Sequence, residues 1–169
     1  MKDAEKVRQL LRLVPLMPEG GHYIETYRSD LRLVEGAVPG LGSGRALSTA
    51  MYYLLAPETR SALHRLPWDE VWHFYLGDPV DMLLLFPDGR GERILLGTDL
   101  DGGMRPQTAV PGGVWQGARL APGGRFALLG TTMAPGFDPS DYEPGPRDAL
   151  VETFGSFRDL ILLLTESPC

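Results

Sequence analysis

From His22 onward the chain is cut into short runs of β-branched and aromatic residues by turn signals too closely spaced for long helices. Gly77-Asp78-Pro79, Pro87-Asp88-Gly89 and Pro122-Gly123-Gly124 each carry residues that preset or permit turn dihedrals. With 21 glycines and 15 prolines in 169 residues, a helical bundle is out of reach, because both residue types weaken helix interiors. The runs HYIETYRS, ALSTAMYYLL, SALHRL, EVWHFYLG, VDMLLLF, ERILLG, QTAV, VWQGARL and RFALLGTTM read as strands. That many short strands suit an all-β fold, either a closed barrel or a two-sheet roll.

Helical signals are confined to the ends. Val7, Leu10, Leu11 and Val14 recur at helical spacing behind Asp3, a candidate cap, and Pro15 closes the segment. A second amphipathic helix is expected over 148–164, weakened by Gly155. The expected organisation is one domain over 1–169: an N-terminal helix at 1–16, the barrel at 18–143 and the C-terminal helix.

The formal net charge of −6 and the scattered Lys and Arg argue against nucleic acid as a partner, since phosphate contacts dominate that affinity. Apolar runs such as Met82 to Phe86 and Leu160 to Leu164 fall far short of the ~20 residues that span a bilayer. MKDAEKVRQLLRLVPL carries charges through its apolar positions, unlike a signal peptide. The single cysteine, Cys169, allows no intrachain disulfide. A cytoplasmic location, away from any membrane, is the expectation.

Strand alternation places His64 and Leu66 on one face of their strand, and Glu70, Trp72, Phe74 and Leu76 on one face of the next. A turn at Pro67-Trp68-Asp69 then aims His64 and Glu70 into one cavity. Gln116 stands three residues beyond the Pro-Gly-Gly of VPGGVWQG, and His73 has the opposite parity to Glu70. Ser48 and Ser61 lack a Gly-x-Ser-x-Gly elbow, and no glycine-rich loop carries the Lys-Ser/Thr of a phosphate cradle. Gly-Leu-Gly-Ser-Gly at 40–44 reads as a connecting loop.

His64-x-Leu66-x-x-x-Glu70, followed after six residues by Gly77, resembles the first signature of the cupin superfamily, and Pro111-x-Gly113-x-x-Gln116 resembles the second. PEGGHYIETYRS, STAMYYLL, HRLPWDEVWHFYLGDP, VPGGVWQGA and LLGTTMAPGFDPSDYE together resemble the cupin family DUF985, or cupin-5. The resemblance implies a double-stranded β-helix, the cupin jelly-roll barrel, with short flanking helices. Many cupins hold a divalent metal on histidines and a glutamate. Here Leu66 and Gln116 stand where two of those histidines would be, so no cofactor is expected. A divalent metal, if bound, would have to use His64, Glu70 and Gln116.

EGGHYIETYR is also similar to an early strand of the jelly-roll deoxysugar epimerases, which would bring Tyr23 and Glu25 near a bound sugar. LHRL is similar to the segment carrying their basic histidine, here His64. Their arginine falls on Ser61 and their lysine on Glu70, and their catalytic tyrosine has no clear counterpart.

These residues support three readings. One is an isomerase or epimerase acting on a carbohydrate-like or nucleotide-sugar-like molecule, with His64 as base, Glu70 orienting it and Gln116 donating to an enolate. Another is a metabolite-binding module without turnover, and the third is a metal-dependent enzyme. In each, a small molecule contacts Glu25 and Tyr23, Gln116 either contacts it or satisfies buried hydrogen-bonding groups near the turn, and Trp72 and Phe74 serve as core or as a stacking platform. Open strand edges suggest a homodimer, with HYIETYRS reaching across.

Overall fold

The computed structural model describes residues 3–165. In chain order the elements are α1 (Ala4–Leu11), β1 (Val14–Pro15), β2 (His22–Arg28), β3 (Thr49–Leu55), β4 (Arg60–Arg65), β5 (Glu70–Gly77), β6 (Val80–Leu85), β7 (Gly91–Leu96), β8 (Gln107–Val110), β9 (Trp115–Leu120), β10 (Ala127–Met133), β11 (Glu143–Pro144), α2 (Arg147–Thr153) and α3 (Arg158–Thr165). They form an antiparallel sheet in the order β1-β2-β3-β10-β5-β8 and a second in the order β11-β4-β9-β6-β7. The inner faces close on a hydrocarbon core in which Tyr53, Trp72 and Leu129 of the first sheet meet Met82, Leu84 and Ala118 of the second. Of the closed barrel and two-sheet roll that the turn spacing left open, this is the two-sheet form, the jelly roll that the cupin resemblance implies.

All nine expected strands form, and two short ones join them. β1 and β11 each contain a proline and lie at the outer edge of their sheets, where a missing N–H costs no ladder bond. The proline obscured them in the sequence.

The helices are shorter than expected. Asp3 caps α1 by accepting from the Lys6 N–H at 2.8 Å. The helix then stops at Leu11, not at 16, because Arg12 turns left-handed (φ 57°) and its N–H bonds back to Gln9. At the other end Phe154 leaves helical geometry, a 3-10 turn follows at Gly155–Phe157, and the expected single helix becomes α2 and α3. The break lets Leu150, Phe154, Ile161 and Leu164 all pack on Leu63, Leu83 and Leu85, on the outside of the five-stranded sheet. α1 covers the outside of the other sheet through Val7. Among the described residues no helix is long and apolar enough to cross a membrane. Cys169 lies outside the described residues.

One expected alternation fails. β5 pairs Phe74 with Leu129 and Leu76 with Leu128, so Tyr75 is an extra residue in the ladder. The bulge keeps Glu70, Trp72 and Phe74 facing inward but sends Leu76 to the outer cluster beneath α1. Gly77 ends the strand at φ 110°, and a Cβ there would stand 2.3 Å from the Phe126 carbonyl oxygen, which accepts the Asp78 N–H at 2.8 Å.

Gly77→Ala is therefore expected to cost at least ~2 kcal/mol, lowering Tm by about 4–8 °C. Gly89→Ala, also at positive φ but facing open space, should cost only ~1 kcal/mol. Thermal and urea unfolding of the pair checks this, and equal losses would mean that the Phe126 contact is irrelevant.

Candidate functional site

The site begins with a bulge in β4. Ser61 pairs with Ala118 and His64 with Gln116, so Ala62 and Leu63 together oppose Gly117. The extra residue lets Ser61 and His64, three apart, both face the barrel interior, while Leu63 points outward to the helices. It also turns the Ala62 carbonyl toward the imidazole, 2.7 Å from His64 Nδ1. A carbonyl oxygen can only accept, so Nδ1 carries the hydrogen and the other nitrogen, Nε2, keeps its lone pair in the neutral ring. Nε2 has no hydrogen-bond partner among the described residues, and the ring lines a cavity. Tyr142 stacks on it at 5.0 Å between centroids and 24° between planes.

Glu70 opens β5 and is fully enclosed. Gln116 Nε2 donates to its Oε2 at 2.8 Å, and the Trp72 indole N–H donates to Gln116 Oε1 at 2.8 Å. An indole N–H is only a donor, so the amide orientation is fixed and the chain runs from Trp72 to Gln116 to Glu70. Burial pushes the Glu70 carboxyl above the usual range, and the nearby Glu19 charge adds to this, while His64, Thr131 and Gln116 pull the other way.

These groups meet at one end of the barrel, around a cavity of about 220 Å³. His64, Glu70 and Thr131 supply its polar floor, and Met51, Leu66 and Met133 its apolar wall. Tyr23 and Glu25 line it, and Glu25 is held by Arg28 in a two-point ion pair at 2.6 and 2.9 Å. Tyr27 is exposed, because the ladder slips one residue between Glu25 and Tyr27.

The ligand roles considered for Trp72, Phe74 and Gln116 need correction. Of core and stacking platform, Trp72 and Phe74 take the core: they do not line the cavity but lie further along β5, in the packed core, where Trp72 meets Tyr53 edge-on at 5.8 Å. Gln116 touches no cavity space either, since its amide is occupied by Glu70 on one side and Trp72 on the other. It positions Glu70 rather than a ligand. The metal set fails for the same reason: Leu66 presents hydrocarbon, and the Gln116 oxygen already accepts from the indole. Among the described residues no group of three or more His, Cys, Asp or Glu is arranged to hold an ion. Two good donors fall short of a usual metal site.

Glu19 and Tyr142 are among the cavity residues that escaped the sequence reading. Glu19 lies on the turn before β2, where Ser61 Oγ donates to its carboxylate at 2.6 Å and the Ala62 N–H to its carbonyl at 2.8 Å. Tyr142 follows the 3-10 turn Pro139–Asp141. Both sit on connections, where no strand periodicity could flag them.

The comparisons with known proteins agree with this architecture. An uncharacterized protein of Saccharomyces cerevisiae, YML079W, is 34% identical over 134 residues, a match covering 73% of this chain and 66% of the yeast protein. A crystal structure of protein SO0799 from Shewanella oneidensis superposes with a TM-score of 0.86 at 30% identity, over 99% of each chain. A hypothetical protein from Leishmania major gives 0.85 at 31%, over 98% of this chain and all of that one (100%). Oxalate decarboxylase of Bacillus subtilis is a more distant likeness of fold, with a TM-score of 0.53 at 12% identity over 98% of this chain and 40% of that one. The family model described as cupin superfamily (DUF985) matches residues 5–144, and the chain belongs to that family.

Proposed function

We propose that the cavity binds a small, polar, carbohydrate-like molecule and that His64 Nε2 acts on it as a general base in an isomerase-type reaction. The observation that carries this reading is the bond from His64 Nδ1 to the Ala62 carbonyl, which leaves the basic nitrogen on the cavity side. The base would take a proton from a carbon beside a carbonyl, the C–H electrons moving onto the carbonyl oxygen. Glu70, raised toward its neutral form, can offer its hydroxyl proton to that oxygen, the part first expected of Gln116.

Size and charge narrow the ligand. At about 220 Å³ the cavity is below the ~300–1,000 Å³ of sites for drug-sized ligands. No Lys or Arg is among its lining residues, so a diphosphate would lack charge-assisted partners. Both features favour a single sugar-sized ring over a nucleotide sugar. Binding without turnover is the second reading, favoured by the engagement of the Gln116 amide inside the protein.

A homodimer is part of the same proposal. Val14, Met17, Tyr27, Leu31 and Val34 are large apolar side chains left exposed at and beyond the β1–β2 edge of the six-stranded sheet. A second copy of the chain would cover them.

Proton wash-in from D2O, followed by NMR on a panel of ketoses and aldoses, tests the base. The wild type should label the carbon beside the carbonyl, and His64→Asn should slow labelling ~10²–10⁴-fold; saturable binding with no labelling would leave the binding-module reading. For Glu70 the folded carboxyl holds its proton to higher pH than a free glutamate does. The native state thus keeps a proton that the unfolded chain has released, so stability falls as pH rises through the window between the two values. Glu70→Gln carries no such charge, so its Tm relative to wild type should improve as pH rises from the ordinary carboxylate range upward. A pH-independent difference would mean that Glu70 is not raised. For the edge, light scattering should report a dimer that Leu31→Asp with Val34→Asp converts to monomer.

A further inference from the structure

The β4 bulge positions a second functional group besides His64. Its Ser61 hydroxyl and its Ala62 N–H both bond Glu19, at 2.6 and 2.8 Å. The next residue is pinned as well, since the Gly20 carbonyl accepts from the Tyr53 hydroxyl at 2.8 Å. Glu19 is thereby held rigidly on the cavity wall, although it sits on a turn.

Its charge is not neutralised. Among the described residues no ion pair includes Glu19, whereas the other carboxylate near the cavity mouth, Glu25, is matched by Arg28. Lys and Arg are missing from the cavity lining. The resulting negative field reaches the neighbouring acids: it adds to burial in raising Glu70, and with burial it pushes the Tyr142 hydroxyl up to about 12. Burial, the larger cause in both, opposes a buried charge of either sign, but the Glu19 charge by its sign opposes a further anion and attracts a cation. Tyr23, Phe137 and Tyr142 supply aromatic rings on the same walls, and ring faces attract cations.

We infer that Glu19 selects the ligand, and that the cavity takes a small hydroxylated amine in its ammonium form, with the ammonium on Glu19 and the carbon skeleton beside His64. This rests on the carbohydrate-like reading above and narrows it to amino sugars and similar amino polyols. Phosphorylated and carboxylate-bearing sugars are excluded by the same charge.

Calorimetric and NMR titrations of the full chain with glucosamine, glucose and glucose 6-phosphate near neutral pH test it. Glucosamine should bind at least about tenfold tighter than glucose, the order of one charge-assisted hydrogen bond, and glucose 6-phosphate should not saturate. Glu19→Gln keeps an acceptor for Ser61, so it should fold and bring the glucosamine-to-glucose ratio near one. Ser61→Ala, which only frees the carboxylate, should give an intermediate ratio. Glucose binding that depends on His64 but shows no amine preference, or a preference unchanged in Glu19→Gln, overturns the role of Glu19 and leaves the carbohydrate site standing. If none of the three sugars binds, both readings fall.

Discussion

One inserted residue in β4 governs the chemistry of this molecule. In an unbroken strand Ser61 and His64 would point to opposite faces, and only one could reach the barrel interior. The bulge opposite Gly117 lets both face inward and frees the Ala62 N–H and carbonyl from the β4–β9 ladder. Those two backbone groups do not go unpaired. The N–H goes to Glu19 and the carbonyl to His64, so a local departure from sheet geometry fixes a carboxylate and an imidazole at once. Gly117 sits tightly opposite it: a Cβ there would stand 3.1 Å from the Leu63 backbone and from the Leu164 side chain, so these neighbours would have to give by a few tenths of an ångström.

Behind that arrangement lies a polar line through an apolar core. Trp72, Gln116 and Glu70 are all buried, and each polar group of the line has a partner of matching kind, which is what a low-dielectric interior demands. Trp72 contributes to the site without touching it. Its indole fixes the amide, the amide fixes the carboxylate, and the carboxylate faces the cavity. Loss of any one would leave a buried polar atom unsatisfied, at a cost of ~1–3 kcal/mol.

The fold was legible in the sequence because its signals are local. Turn residues at strand ends and alternation within strands recovered every long strand, and the spacing of His64, Glu70 and Gln116 marked the residues that cluster. Errors arose where geometry is not local. Bulges add a residue without a sequence mark, so Leu76 was put on the wrong face. Alternation specifies inward but not depth along the barrel, so it left Trp72 and Phe74 open between core and stacking platform, and only the fold shows them in packed hydrocarbon. Proline hid β1 and β11, and Glu19 and Tyr142 belong to connections that only the folded chain brings together.

Those connections explain how a shared barrel can serve different chemistry. The barrel contributes the floor of the cavity, but much of its wall comes from the turn at 16–19 and the segment 135–143. The second is tied down by arginines on the barrel side: Arg28 to the Phe137 carbonyl, Arg45 to the Gly136 carbonyl and Asp141, and Arg65 to Glu143 at 2.6 Å. Backbone groups add to this, with the Phe137 N–H on Thr49 Oγ1 at 2.9 Å and the Gly136 N–H on the Ala46 carbonyl at 2.8 Å. Every one of these arginines is turned to holding the wall and is withdrawn from the ligand. The same ties that close the cavity therefore leave its interior acidic, and a structurally similar barrel with different connections would present a different charge to its ligand.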